Sequence, residues 1–293
     1  MDKLVRGNSM DGAIRVFAAV TTDIANRAQQ IHHTYPVATA ALGRLLTGAA
    51  IMGAAGLKND TDSMTIQIKG DGEIGTLVAV TDCKSRVRGY VSNPFVDRPL
   101  NEKGKLDVGG AVGAGTLSVI RDLGMKEPYI GQIPLVTGEI AEDLTYYYAK
   151  SEQIPTSIAL GVLVDTDNSV IASGGFMIQL MPEATEEMAV RLEEILKDVP
   201  PVTEMISGGM SAEDILFRVT DGFSMVCENK TTEPVYECTC SKERMEKALV
   251  SIGRQELQDI IDEQGSAELT CQFCDNKYNF SRSELEELLK RTW

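Results

Sequence analysis

Along residues 63–69 (Ser-Met-Thr-Ile-Gln-Ile-Lys) apolar and polar side chains alternate, the period-two signature of a strand with one buried face. Residues 76–80 and 87–91 follow as further strands after polar turns, so the three predict an antiparallel meander. Residues 160–164 and 170–172 flank Asp165-Thr-Asp-Asn168, a hairpin with an Asp/Asn-rich turn. Residues 174–181 read as another strand, stopped by Pro182. Helical patterns are rarer here, the clearest being 35–56 and a short one over 107–111. The prediction is an α+β domain rather than a doubly wound parallel sheet.

After Pro182 the period changes. Residues 185–197 carry Met188, Leu192, Ile195 and Leu196 among acids and bases, which predicts an amphipathic helix, and Pro200-Pro201 ends it. Ser211-Ala-Glu-Asp214 forms a capping box ahead of Ile215-Leu216-Phe217. Residues 221–234 are polar and hold the last boundary. Beyond them, 242–264 reads as a helix with Met245, Leu249, Ile252, Leu257 and Ile260 on its apolar side and Gly253 as a breaking point. Ser281 and Glu284 cap a closing helix over 284–291. The expected organisation is an N-terminal mixed sheet-and-helix domain (1–182), a helical linker (183–233) and a small C-terminal domain (234–293).

Length agrees, since 293 residues exceed one ordinary core. The net charge of −15 is uneven: residues 183–293 hold 24 acids against 12 bases, leaving −3 for the rest. Such a surface repels phosphate backbones and argues against nucleic-acid partners. The most apolar stretch, 37–57, is broken by Arg44 and padded with Ala and Gly, so a buried helix is expected rather than a membrane span. The first residues show no basic region followed by an apolar run, which predicts no secretory leader and a cytoplasmic location.

Of six cysteines, four form Cys238-Thr-Cys240 and Cys271-Gln-Phe-Cys274, two close pairs within one small segment. That pattern predicts one zinc ion on four thiolates, each short loop offering two sulfurs at about 2.3 Å. A closed site of this kind is structural, not hydrolytic. A segment of roughly 60 residues buries too little apolar surface to be reliably stable alone, whereas structural zinc contributes about 10–16 kcal/mol. Spacing alone leaves a purely structural zinc module and a redox switch both open. Zinc-bound sulfurs are deprotonated and nucleophilic, so an oxidant that reaches them can form disulfides and expel the ion. A thioredoxin-like site at Cys271-Gln-Phe-Cys274 fits less well, lacking an obvious strand before it and helix after it. Cys83 and Cys227 read as ordinary free thiols.

Gly70-Asp-Gly72-Glu-Ile-Gly75 matches a dinucleotide fingerprint in letters, but the strand-like residues after it predict a hairpin turn. The two histidines, His32 and His33, are adjacent and poorly placed to chelate. No nucleophile elbow or phosphate-binding Gly-Lys-Ser/Thr loop occurs, so neither hydrolase nor ATPase is expected.

With these features together, the chain resembles the heat-shock protein 33 family of redox-regulated bacterial chaperones. The likeness runs through Ala40-Ala-Leu-Gly-Arg44, Gly89-Tyr-Val-Ser-Asn-Pro94, Gly104-Lys-Leu-Asp107, Gly174-Gly-Phe-Met-Ile-Gln-Leu-Met-Pro182 and the four cysteines. The resemblance implies a non-enzymatic, ATP-independent holdase that is dormant while reduced and zinc-bound. It also implies that oxidation pairs Cys238 with Cys240 and Cys271 with Cys274, zinc leaves, the linker loosens, and homodimers bind unfolding client proteins. The linker stripe of Met188, Leu192, Ile195 and Leu196 is then the surface expected to open. A zinc-dependent thiol oxidoreductase and a constitutive zinc-stabilised interaction module are the rival classes.

Overall fold

The computed structural model describes residues 1–228 and 231–291 and divides into two compact units, Met1–Glu237 and Cys238–Trp293. The first unit opens with a hairpin of β1 (Lys3–Ser9) and β2 (Ile14–Val20), followed by α1 (Thr22–His32) and α2 (Pro36–Gly56). A meander of β3 (Ser63–Gly70), β4 (Thr76–Asp82) and β5 (Arg86–Val91) leads through α3 (Val108–Val112) to β6 (Gly115–Asp122) and β7 (Tyr129–Pro134). Next come α4 (Ala141–Tyr147), a π-helical turn at Tyr148–Glu152, and the hairpin of β8 (Thr156–Val164) and β9 (Val170–Leu180). Three helices, α5 (Glu186–Lys197), α6 (Val202–Ser207) and α7 (Ala212–Val219), precede the short strands β10 (Met225–Cys227) and β11 (Val235–Tyr236).

Two sheets result, one ordered β10-β1-β2-β9-β8 and one ordered β11-β5-β4-β3-β6-β7. Helix α2 packs on both. It is apolar nearly all round, with Arg44 paired to Glu139 at 2.6 Å, and 89% of its most apolar window is buried, so it is a core helix. The meander occurs as expected, and Gly70 to Gly75 is the turn of its first hairpin rather than a nucleotide loop. Glycine is required there because a Cβ at Gly70 would lie 1.8 Å from the Val112 carbonyl oxygen.

The second hairpin turns through Asn168 at φ +69°, which a short amide side chain tolerates. Its second arm is one continuous strand where the sequence suggested two, because β2 and β8 both pair along β9 and bridge the Ser173-Gly174-Gly175 stretch.

The first sheet has two buried faces. Phe17 and Ala19 face the α2 core, while Val5, Ile14, Val16, Ala18, Phe176 and Ile178 form a second core with helices α5 to α7. Thr185 caps α5, its hydroxyl accepting from the Met188 N–H, and Ser211 with Asp214 forms the expected capping box on α7. Leu192 is buried, with Met188 and Leu196 packed against the same core, so most of the amphipathic stripe rests on the sheet.

The second unit holds α8 (Lys242–Ser251), α9 (Arg254–Glu263), the hairpin of β12 (Ser266–Thr270) and β13 (Lys277–Ser281), and α10 (Arg282–Leu289). Gly253 at φ +102° separates α8 from α9, as its sequence position suggested. The closing helix has the expected cap, the Ser281 N–H donating to the Glu284 carboxylate, and it begins directly after that cap at Arg282, two residues before the expected start. Among the described residues the fully buried apolar set is Leu249, Leu257, Ile261, Phe280, Leu285 and Leu288. A core this small does not hold such a unit by itself.

Candidate metal centre

Cys238 and Cys240 lie on the irregular segment that enters α8 with one residue between them, a spacing that in extended chain sends two side chains the same way. Ser241, extended at φ −149°, then caps α8 through its hydroxyl. The other pair sits in the turn of the β12–β13 hairpin. There the Cys271 N–H donates to the Asn276 carbonyl at 2.9 Å, and the Cys271 carbonyl accepts from Cys274 (3.3 Å) and Asp275 (2.9 Å). Asp275 takes φ +62°, which lets the chain double back within four residues of Cys271. Two unrelated local structures therefore present two sulfurs each.

All four sulfurs lie within 4.8 Å of one another. Cys238 and Cys271 are 3.7 Å apart and Cys240 and Cys274 are 3.3 Å apart. A tetrahedron with metal–sulfur bonds of about 2.3 Å has edges of about 3.8 Å, so the two closest sulfur pairs lie within about half an ångström of a tetrathiolate zinc cage edge and every pair within about 1 Å of it. The all-sulfur donor set selects a soft or borderline cation rather than magnesium or calcium. The four cysteines can hold a metal ion as they stand.

Electrostatics point the same way. Burial pushes the Cys238 thiol up to about 11 and drives Cys274 higher still. Burial also pushes Cys240 upward, but hydrogen bonds from Tyr278 and the neighbouring thiols outweigh it and hold Cys240 at about 7. Four thiolates crowded together repel one another, and a divalent cation at their centre reverses that balance.

Tyr278 is the residue that sequence reasoning missed. Its hydroxyl donates to the Cys240 sulfur at 3.0 Å from β13. The available signal was its place four residues after Cys274, where strand alternation puts it on one face with Phe280. Nearby, the Lys242 ammonium lies over the Phe280 ring at 5.1 Å and pairs with Glu284 at 2.6 Å, fastening the start of α8 to α10.

The remaining candidates fall elsewhere. Cys83 sits in the β4–β5 turn with its sulfur 3.6 Å from Asp60, and burial together with that carboxylate raises its thiol. Cys227 lies on β10, its thiol also raised by burial. The histidines make no metal cluster among the described residues; His32 Nε2 is 2.9 Å from the Gly89 carbonyl oxygen.

Comparison with known proteins gives a consistent result across the whole length. The family model described as Hsp33 protein matches residues 2–281. The 33 kDa chaperonin of Clostridium beijerinckii is 48% identical over 292 residues, covering 99% of both chains. That of Ruminiclostridium cellulolyticum is 49% identical, covering 99% of this chain and 98% of its own. The crystal structure of the 33 kDa chaperonin (heat shock protein 33 homolog) from Thermotoga maritima superposes with a TM-score of 0.90 at 40% identity, covering 99% of this chain and 98% of that one. With a family model matching residues 2–281, near-half identity over almost the whole of both chains and a shared fold, this chain belongs to the Hsp33 family.

Proposed function

We propose that the chain is a redox-regulated, ATP-independent holdase of the cytoplasm, a chaperone and not an enzyme. In this reading residues 1–182 are the chaperone core, 183–233 a metastable helical linker, and 234–293 a switch domain that carries one zinc ion on Cys238, Cys240, Cys271 and Cys274. The observation that carries it is the convergence of four sulfurs within 4.8 Å in a unit whose buried apolar set among the described residues is six side chains. Zinc bound there supplies cross-linking energy that so small a core lacks.

Oxidation reverses this. Two thiolates and one hydrogen peroxide, with two protons, give one disulfide and two waters, so two equivalents of peroxide consume all four sulfur ligands. The pairing Cys238–Cys240 and Cys271–Cys274 follows the family resemblance. The nearest sulfur contacts run across these pairs, and since all four lie within 4.8 Å proximity does not choose between pairings.

Without the cation the switch domain unfolds and the linker loosens. Helices α5 to α7 cover Val5, Ile14, Val16, Ala18, Phe176 and Ile178, and the uncovered sheet face supplies apolar surface for unfolding clients and for homodimer contacts. The test is suppression of aggregation of a thermally unfolding reporter, run alongside metal release and disulfide mapping. Suppression after peroxide and mild heat, with release of one zinc per chain, is expected. Metal-free reduced protein, or equal suppression with every thiol reduced, rejects the proposal.

A further inference from the structure

We infer that the outer edge of β5 is a second client-binding surface, occupied at rest by the chain's own residues 235–237 and vacated on oxidation to receive an extended segment of an unfolded polypeptide. This rests on the chaperone reading above. Strand β11 is two residues long and pairs in parallel with β5, Val235 beside Arg86 and Tyr236 beside Val87. The Val235 N–H donates to the Ser85 carbonyl at 3.4 Å and the Glu237 N–H to the Val87 carbonyl at 2.8 Å. Just upstream, Thr232 and Leu4 exchange a reciprocal pair of backbone bonds at 2.9 and 3.0 Å. The segment crosses the sheet edge as an added peptide strand does, main chain for affinity and one side chain for anchorage.

Tyr236 is that anchor. It packs against the α2 core, its hydroxyl donates to the Gly89 carbonyl at 2.8 Å, and His32 Nε2 lies 3.2 Å from it. Beside the strand runs a cavity of about 660 Å³ lined by Met1, Ile24, Arg27, Gln30 and Pro234, among others, with room for the side chains of a longer occupant. Ser85 and Val87 are buried, and their carbonyls lose the Val235 and Glu237 N–H donors when residues 235–237 depart, whereas the Gly89 carbonyl keeps His32 Nε2 at 2.9 Å.

The departure has a built-in trigger. Cys238 is the next residue after Glu237, and two residues of ladder, the reciprocal pair upstream, one tyrosine anchor and a half-exposed Arg86–Glu237 ion pair at 3.6 Å hold the strand. Pairing this short is marginal on its own. Once the four sulfurs no longer fix the chain beyond Glu237, the strand detaches and leaves an edge that recognises extended backbone of any sequence, with a preference for a large aromatic side chain at the Tyr236 position.

The experiment uses the full chain with a photo-crosslinking amino acid in place of Arg88 on β5 and, as a control, in place of Ile130 on β7 at the opposite edge of the same sheet. Each is mixed with a thermally unfolding reporter. Crosslinks from position 88 at least about fivefold stronger in the oxidised than in the reduced chain, with no such gain at 130, are expected. In the reduced, zinc-loaded chain, Tyr236→Phe should raise amide exchange at Val235 and Glu237 by about tenfold, the loss expected from one hydrogen-bond partner, and Tyr236→Ala by more. Aggregation suppressed by the oxidised chain with position 88 no better than 130, or with residues 235–237 still protected, overturns the inference and leaves the holdase reading standing. Absence of suppression altogether overturns both.

Discussion

Gly161 offers a way to loosen the linker without touching a cysteine. It lies on β8 opposite Gly174, and a Cβ placed on it would meet Thr203 Cγ2 at 2.9 Å, the Thr203 nitrogen at 3.3 Å and Val202 Cβ at 3.4 Å. All three atoms belong to α6. At Gly174, by contrast, a Cβ would also strike the Ala19 carbonyl oxygen at 2.4 Å and damage the sheet itself. Gly161→Val therefore suits a β-strand by propensity while directing its added volume at one linker helix. Overpacking of this kind costs about 1–3 kcal/mol, equivalent to about a 5- to 150-fold change in a local opening equilibrium.

The assay is amide exchange across the reduced, zinc-loaded variant, paired with aggregation suppression measured without peroxide. Faster exchange in α6, spreading to α5 and α7, with partial chaperone activity, is expected, and Gly161→Ala should fall between variant and parent. Unchanged exchange in α6, or faster exchange in the β8–β9 hairpin instead, would refute the assignment of this glycine as the linker's seat.

Other consequences concern the metal site and the amino terminus. Tyr278→Phe removes a donor at 3.0 Å from the Cys240 sulfur, leaving that sulfur richer in electron density and faster to react; peroxide-driven zinc release, read with a colorimetric chelator, should accelerate by up to about tenfold for each ~1.4 kcal/mol lost. Asp2 accepts from the Asp23 and Ile24 N–H groups at 2.9 and 2.8 Å, and burial raises its carboxyl to about 6 in spite of those bonds. A folded-state value above the ordinary 3.8 means that its contribution to stability is fully present below pH 3.8 and is lost as pH rises through 6. The melting temperature of the N-terminal unit should carry a component that falls between about pH 4 and 6, and Asp2→Asn should remove it. A melting curve in which that pH component survives the substitution contradicts the assignment.

What the sequence made legible followed regular local rules. The largely apolar α2, the Asp165 to Asn168 turn, the capping serines 211 and 281, and the break at Gly253 each follow from a single rule of backbone or side-chain chemistry. The cysteine spacing exposed the metal-binding set in the same direct way. Strand β2 was missed for a physical reason: with α2 packed on one side and α7 on the other, Ile14, Val16, Phe17, Ala18 and Ala19 are all buried, and a strand covered on both faces shows no alternation. Strand β7 escaped by the opposite route, since most of its residues are exposed. The short β10 lies in the polar stretch read as linker and β11 just beyond it, at the start of the segment assigned to the C-terminal domain, and only tertiary pairing with β1 and β5 makes them strands. Tyr278 has no spacing rule of its own; its role appears once the hairpin turn carries it back to Cys240.

The central claim of the proposed function is that four sulfurs around one ion keep the linker helices α5 to α7 closed. Hydrogen exchange of the intact chain, reduced with zinc and then oxidised by peroxide with mild heat, tests it most directly. The account predicts that protection collapses together in residues 238–291 and in α5 to α7 while α2 and the β3–β6 ladder stay protected. Collapse confined to residues 238–291, with α5 to α7 as protected as before, would contradict it.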